Sequence, residues 1–71
     1  MRTPEERLRA FGGRVRDLRK AKGLSQEELG ERADLHRNYV GMLERGERNP
    51  TLLNVYRIAD GLEVEAAELL S

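Results

Sequence analysis

The sequence predicts an all-α chain of five short helices, and three observations carry that prediction. Capping signatures stand at Thr3, Ser25 and Thr51, each just ahead of a stretch with helical apolar spacing. Glycines follow the ends of several of those stretches, where left-handed C-terminal caps are expected. No run of alternating β-branched residues reads as a strand.

The first helix opens at Thr3-Pro4-Glu5-Glu6, a cap residue, a proline suited to the first helical position and a glutamate that closes a capping box. Leu8, Phe11, Val15, Leu18 and Ala21 then return at spacings of three and four, and Gly23 ends the stripe. Gly12-Gly13 interrupts it. Each glycine costs about 1 kcal/mol in a helix interior, so a bend, a break or a close backbone contact is expected there, a break making the first segment a separate arm. Ser25-Gln26-Glu27-Glu28 repeats the capping box and opens a second helix through about Ala33, with Leu29 and Ala33 inward. A turn at Asp34-Leu35 leads to a third helix from about Arg37 to Arg45, ended by Gly46. Pro50 forbids simple continuation, Thr51 caps a fourth helix over 52–60, and Gly61 stops it. A last helix, about 65–70, presents Ala66, Leu69 and Leu70.

Composition removes several function classes. Seventy-one residues suffice for one domain, and a chain of that size buries only about 60% of its unfolded surface, so a partner subunit would help it. With no cysteine and a single histidine, His36, neither a disulfide framework nor a zinc site can be assembled, and no cofactor, metal or small-molecule ligand is expected. The charged start Met1-Arg2-Thr3-Pro4-Glu5-Glu6 is unlike a secretory leader, and no run of about 18 apolar residues exists, so a cytoplasmic protein without membrane contact is expected. Formal net charge is zero, yet residues 1–23 carry eight Arg or Lys against three acids, while 24–48 and 49–71 are each net acidic. That segregation suits a molecule with one basic face, the side on which phosphates are neutralised in nucleic-acid binders.

The run Leu24-Ser25-Gln26-Glu27-Glu28-Leu29, followed by Leu35-His36-Arg37-Asn38-Tyr39-Val40 and Leu43-Glu44-Arg45-Gly46, resembles the Cro/repressor-type (XRE) helix-turn-helix family. Val15, Leu18, Arg19, Asn49-Pro50 and Ile58-Ala59 also fall where that pattern has them. Arg48-Asn49-Pro50-Thr51-Leu52-Leu53-Asn54-Val55 is most similar to the controller proteins of restriction–modification systems. The resemblance implies a compact five-helix bundle over 1–71, with a helix-turn-helix at about 25–45 and a dimerisation region at about 52–71. It further implies a transcriptional regulator, an autoregulator acting as activator or repressor, that binds double-stranded DNA at a palindromic operator as a homodimer. Two departures stand out: Asp34 replaces the usual turn glycine, though Asp tolerates the left-handed conformation, and His36 takes an N-cap position where the family favours a hydroxyl or Asp.

On that resemblance the third helix reads DNA with what its core positions leave outward: Arg37, Asn38, Gly41 and Met42, with Tyr39 at the flank. Arginine bonds guanine O6 and N7, and asparagine bonds adenine N6 and N7, so Arg37 and Asn38 are the expected base readers. Tyr39 either reaches a phosphate with its hydroxyl, touches a thymine methyl, or packs at the domain edge. Gln26 is expected to hold a phosphate at the start of the second helix, and Arg48 and Asn49 to run beside the backbone. Arg45 and Arg14 are secondary candidates, and His36 either touches DNA or only caps. Arg19 and Glu44 are expected to form a buried ion pair with a structural role. Leu52, Val55, Ile58, Ala59 and Leu62 fill the core, which leaves Leu53, Tyr56, Leu69 and Leu70 as surplus apolar side chains for a two-fold interface. Activation would require contact with RNA polymerase, for which Glu27, Glu28 and Glu31 are the candidate patch, although a solvated face accounts for them equally. The competing expectation is an antitoxin-type regulator that acts mainly through a protein partner; an enzyme has no converging acid, base and nucleophile to work with.

Overall fold

The computed structural model describes residues 1–71 and contains α1 (Pro4–Ala21), α2 (Gln26–Ala33), α3 (Arg37–Glu44), α4 (Leu52–Leu62) and α5 (Ala66–Leu70). In α1 to α4 a side chain closes the first turn. Thr3 Oγ1 accepts from the Glu6 amide at 3.1 Å while Glu6 Oε1 accepts from the Thr3 amide at 2.8 Å, and Ser25 and Glu28 repeat the exchange at 3.0 and 2.8 Å. Those backbone N–H bonds, and then the cap hydroxyls, hold both glutamates below the usual carboxylate range. A lowered folded value means that the boxes act in full above the ordinary glutamate value of 4.5 and fade as pH falls through the depressed ones. Thr51 Oγ1 accepts from the Asn54 amide at 3.1 Å. His36 caps α3 after all, its Nδ1 accepting from the Asn38 amide at 3.0 Å, which places the ring proton on Nε2. Asp34 ends α2 in the left-handed region at φ 59° and ψ 45°, as an aspartate in a glycine's place must.

The core gathers Val15, Leu29, Val40, Leu43, Ile58, Leu62 and Leu69, all inaccessible or nearly so, with Phe11, Leu24, Ala33, Val55 and Ala59 around them. Packed on this core, α2 lies against α3 and α4, α1 lies against α3, and α5 crosses α4 and α1. No helix is long and apolar enough to cross a membrane.

Several sequence expectations are corrected, most of them by contacts between elements. The helix α1 runs unbroken through Gly12-Gly13, so its first turns are no separate arm. A Cβ on Gly12 would stand 2.1 Å from the Leu43 carbonyl oxygen and 2.7 Å from that of Glu44, so this glycine lets α1 rest directly on the end of α3. Gly30 serves the α2–α3 crossing in the same way, 2.5 Å from the Leu35 oxygen. Gly61 does not stop α4. It is buried within the helix, where a Cβ would lie 3.0 Å from Leu29 Cδ1, and the left-handed cap falls on Glu63. Gly41 is buried rather than outward, beneath the Gln26 amide. Leu52, assigned to the core, is exposed at the start of α4, and Ala21 is exposed at the end of α1. Leu69, assigned to a subunit interface, is 2% exposed and belongs to the core. It is drawn in because α5 folds back on α1, where Arg14 Nε donates to the Glu68 carbonyl at 2.8 Å and Nη2 to Ser71 Oγ. Arg14 is thereby committed to the C-terminal end of α5.

The two neighbouring glycines of α1 should respond to alanine with opposite signs. Gly13 has no atom within 4 Å of a Cβ, so Gly13→Ala should stabilise by about 0.5–1 kcal/mol through helix propensity. Gly12→Ala drives a methyl into two carbonyls and should destabilise by about 3 kcal/mol. Urea unfolding of both variants measures the difference; equal effects would mean that α1 does not rest on α3 at this point.

Candidate nucleic-acid interface

At the join of α1, α2 and α3 lies one buried charge pair. Arg19 Nε donates to Glu44 Oε2 at 2.6 Å and Nη2 to Oε1 at 3.0 Å, a bidentate arrangement in which the side chains are 10% and 3% exposed. The third nitrogen, Nη1, donates to the Leu24 carbonyl at 2.8 Å, and Gln26 Nε2 donates to Glu44 Oε1 at 3.1 Å. No buried side-chain polar atom is left without a partner. The Glu44 hydrogen bonds raise the Arg19 pKa further above its ordinary value, so the guanidinium stays charged. Pairs with this burial fix geometry, because desolvating two ions offsets much of their attraction.

Around α3 the 100° step per residue sorts side chains into two populations. Val40, Leu43 and Glu44 point inward, and Asn38, Met42 and Arg45 share the centre of the opposite face. Arg37 and Tyr39 occupy its two edges. At the α2 edge Arg37 Nη1 donates to Glu27 Oε2 at 2.9 Å, with both side chains about 60% exposed, so this pair contributes at most about 1 kcal/mol and is readily broken. At the α4 edge half-buried Tyr39 packs on the core while its hydroxyl accepts from Asn54 Nδ2 at 3.0 Å. Gln26, Arg37, Asn38, Gly41, Met42 and Arg45 line one shallow cleft, which brings four of the predicted contact residues together. Gln26 sits at the first position of α2, where helix geometry leaves its amide and that of Glu27 without an intrahelical partner. His36, Arg48 and Asn49 are exposed at either end of α3, the last two in the segment that leads to α4. Arg45 is held by Glu47 through bonds of 3.0 and 3.3 Å, which raise its pKa. Sequence reasoning missed Glu27 as a partner of Arg37, and Asn54 and Arg57 behind Tyr39. Nothing in helical spacing marks a contact made across the turn between two elements.

A short helix crossed at Gly30 by a second one, with that second helix polar and exposed along its outer face, defines a helix-turn-helix domain. The chain belongs to the HTH_3 helix-turn-helix family, whose model matches residues 15–69. It is 44% identical over 61 residues to the control protein C.BamHI of Bacillus amyloliquefaciens, covering 84% of this chain and 75% of that one. It is 42% identical over 60 residues, 84% of this chain and 78% of the relative, to the HTH-type transcriptional regulator y4dJ of Sinorhizobium fredii. Among solved structures it matches the restriction–modification controller protein C.AhdI of Aeromonas hydrophila with a TM-score of 0.86 and 52% identity, over 87% of this chain and 94% of that one.

Removing one member of the buried pair should cost about 3–5 kcal/mol, a large share of the stability of a domain this size. Arg19→Met should therefore lower the melting temperature sharply, while the double variant Arg19→Met/Glu44→Leu should recover most of the loss because no lone buried charge remains. Calorimetry on the two variants provides the check, and an unchanged melting temperature for Arg19→Met would contradict a structural role for the pair.

Proposed function

We propose that this chain is a restriction–modification controller: an autoregulatory transcriptional regulator that binds a palindromic operator as a homodimer and reads it with the outer face of α3. The observation that carries the reading is the α3 surface itself, polar and exposed at its N-terminal half, where such helices meet base edges. Arg37 and Asn38 are the base readers, and Met42 supplies apolar contact from the same face. Gln26, Arg48, Asn49 and Tyr39 contact the sugar–phosphate strands on either side, the amides at the start of α2 assisting Gln26. His36 remains a backbone contact of secondary weight, its ring already occupied as a cap.

Leu53 and Tyr56 are exposed one turn apart on α4, joined there by Leu52, and Leu70 is exposed on α5. Unpartnered aliphatic and aromatic side chains in that density support a two-fold interface centred on α4. Such a dimer sets its two α3 helices about 34 Å apart, one turn of B-DNA, which makes the operator an inverted repeat. With Glu28 engaged in its capping box, Glu31, and Glu27 once Arg37 turns to the bases, are the carboxylates of α2 left to meet RNA polymerase during activation. With no membrane-spanning helix and a DNA target, the protein works in the cytoplasm.

Selection from random-sequence DNA should enrich an inverted repeat with half-sites about 10 base pairs apart. Arg37→Ala should weaken binding to the enriched duplex about 10-fold or more, by 1–3 kcal/mol, while leaving non-specific binding nearly intact. Sedimentation should show a dimer that Leu53→Glu splits into monomers with greatly reduced operator affinity. Absence of any enriched motif would overturn the regulatory reading. A wild-type monomer at tens of micromolar that still binds one half-site would overturn the dimer.

A further inference from the structure

Behind Tyr39 lies a hydrogen-bond chain that the family resemblance does not account for. Arg57 Nη1 donates to Asn54 Oδ1 at 3.3 Å, and Asn54 Nδ2 donates to the Tyr39 hydroxyl oxygen at 3.0 Å. All three side chains are half-buried, in the angle between α3 and α4. The order of donors is fixed by chemistry. A guanidinium can only donate, so Arg57 selects the carbonyl side of the Asn54 amide, which turns the NH2 group toward Tyr39. The phenol oxygen then serves as acceptor, and its own proton is left to be given outward.

We infer that Asn54 and Arg57 are positioning residues that make the Tyr39 hydroxyl an obligate outward donor, aimed at a phosphate oxygen of the operator strand beside α4. The inference rests on the proposed reading of α3. A helix in the major groove, about 12 Å wide, has its two edges against the two sugar–phosphate strands, and Tyr39 is the edge residue on the α4 side. A phosphate accepts and never donates, so a hydroxyl whose acceptor role is filled from behind is matched to it. Bonds polarised in series strengthen one another, which carries the Arg57 charge toward the phosphate through two neutral groups. The chain also starts on the helix that bears Leu53 and Tyr56, so the phosphate contact is braced by the element proposed to hold the second subunit.

Asn54→Asp reverses the polarity with almost no change in shape, since a carboxylate accepts from the Tyr39 hydroxyl and turns its proton inward. The test measures affinity of the full-length protein for the duplex enriched from random-sequence DNA, with calorimetric melts confirming that each variant is folded. Tyr39→Phe and Asn54→Asp should each weaken binding about 10-fold, the effect of one hydrogen bond to a charged acceptor. In the Tyr39→Phe background, Asn54→Asp should add no more than about twofold, so that the single losses do not multiply. Arg57→Lys, which keeps a cationic donor on Asn54 Oδ1, should bind far better than Arg57→Ala. The inference is overturned if Tyr39→Phe binds like wild type, if the losses multiply, or if Arg57→Lys is as impaired as Arg57→Ala. Arg37→Ala is run alongside: a loss there with no coupling at Tyr39 sinks this inference alone, whereas normal binding by Arg37→Ala sinks the reading of α3.

Discussion

The position of the exposed face of α3 depends on one interaction, the buried Arg19–Glu44 pair. Arg19 lies two turns after Gly12 on α1, so both fall on the same face of that helix. Glu44 meets that face twice, its carbonyl oxygen against Gly12 and its carboxylate against Arg19. Contact without a side chain at one end and a bidentate ion pair at the other leave α3 no freedom to slide or roll on α1. Gln26 adds a third point by donating to the same carboxylate from the first residue of α2. Three helices are thus referred to a single carboxyl group, and the outer face of α3 inherits its direction from it.

The contrast with the exposed pairs decides what each is for. Arg37–Glu27 and Arg45–Glu47 are as short as many buried pairs, near 3.0 Å, yet all four side chains are more than half exposed. Solvent screening leaves such pairs worth little to folding. They can open when a better partner arrives, whereas Arg19–Glu44 cannot open without stranding a charge in the interior. The same two residue types therefore build the frame in one place and a releasable contact in another, and burial alone separates the roles.

How legible all this was in the sequence follows from the range of the forces involved. Helix starts were readable because capping is settled within four residues: Thr3, Ser25 and Thr51 each close a turn that the sequence itself encloses. Asp34 was readable as the turn residue for the same reason. Glycines inside helices were only partly readable: a close backbone contact was one of three expectations at Gly12-Gly13, but Gly61 read as a stop, since Gly12 and Gly61 each owe their presence to atoms of another element. Leu69 and Leu70 show the limit in adjacent residues. Both suit an interface, and only the return of α5 onto α1, through Arg14, puts one of them in the core and the other outside. Within the site, the exposure of Arg37 and Asn38 was legible from helical period, while the partners that hold Arg37 and Tyr39 in place come from α2 and α4.

A net charge of zero is a poor start for a DNA-binding protein if affinity is counted by phosphates alone. On the proposed function, the edges of α3 divide the work differently. Arg37 carries a carboxylate of its own in the free molecule, so arbitrary DNA must displace Glu27 to gain a purely electrostatic contact that is barely better. A guanine edge offers two acceptors, O6 and N7, in bidentate geometry, and that surplus is available only at the right base pair. Low background affinity then serves discrimination, because specificity is a difference between correct and incorrect sites rather than the strength of either. Tyr39, held from behind by Asn54, needs no such exchange. Its side chain is already ordered, so the association step loses little rotamer freedom there. On the proposed function, one edge of α3 rejects wrong sequences and the other binds the backbone at small entropic cost, and each property comes from the neighbouring helix that holds that edge.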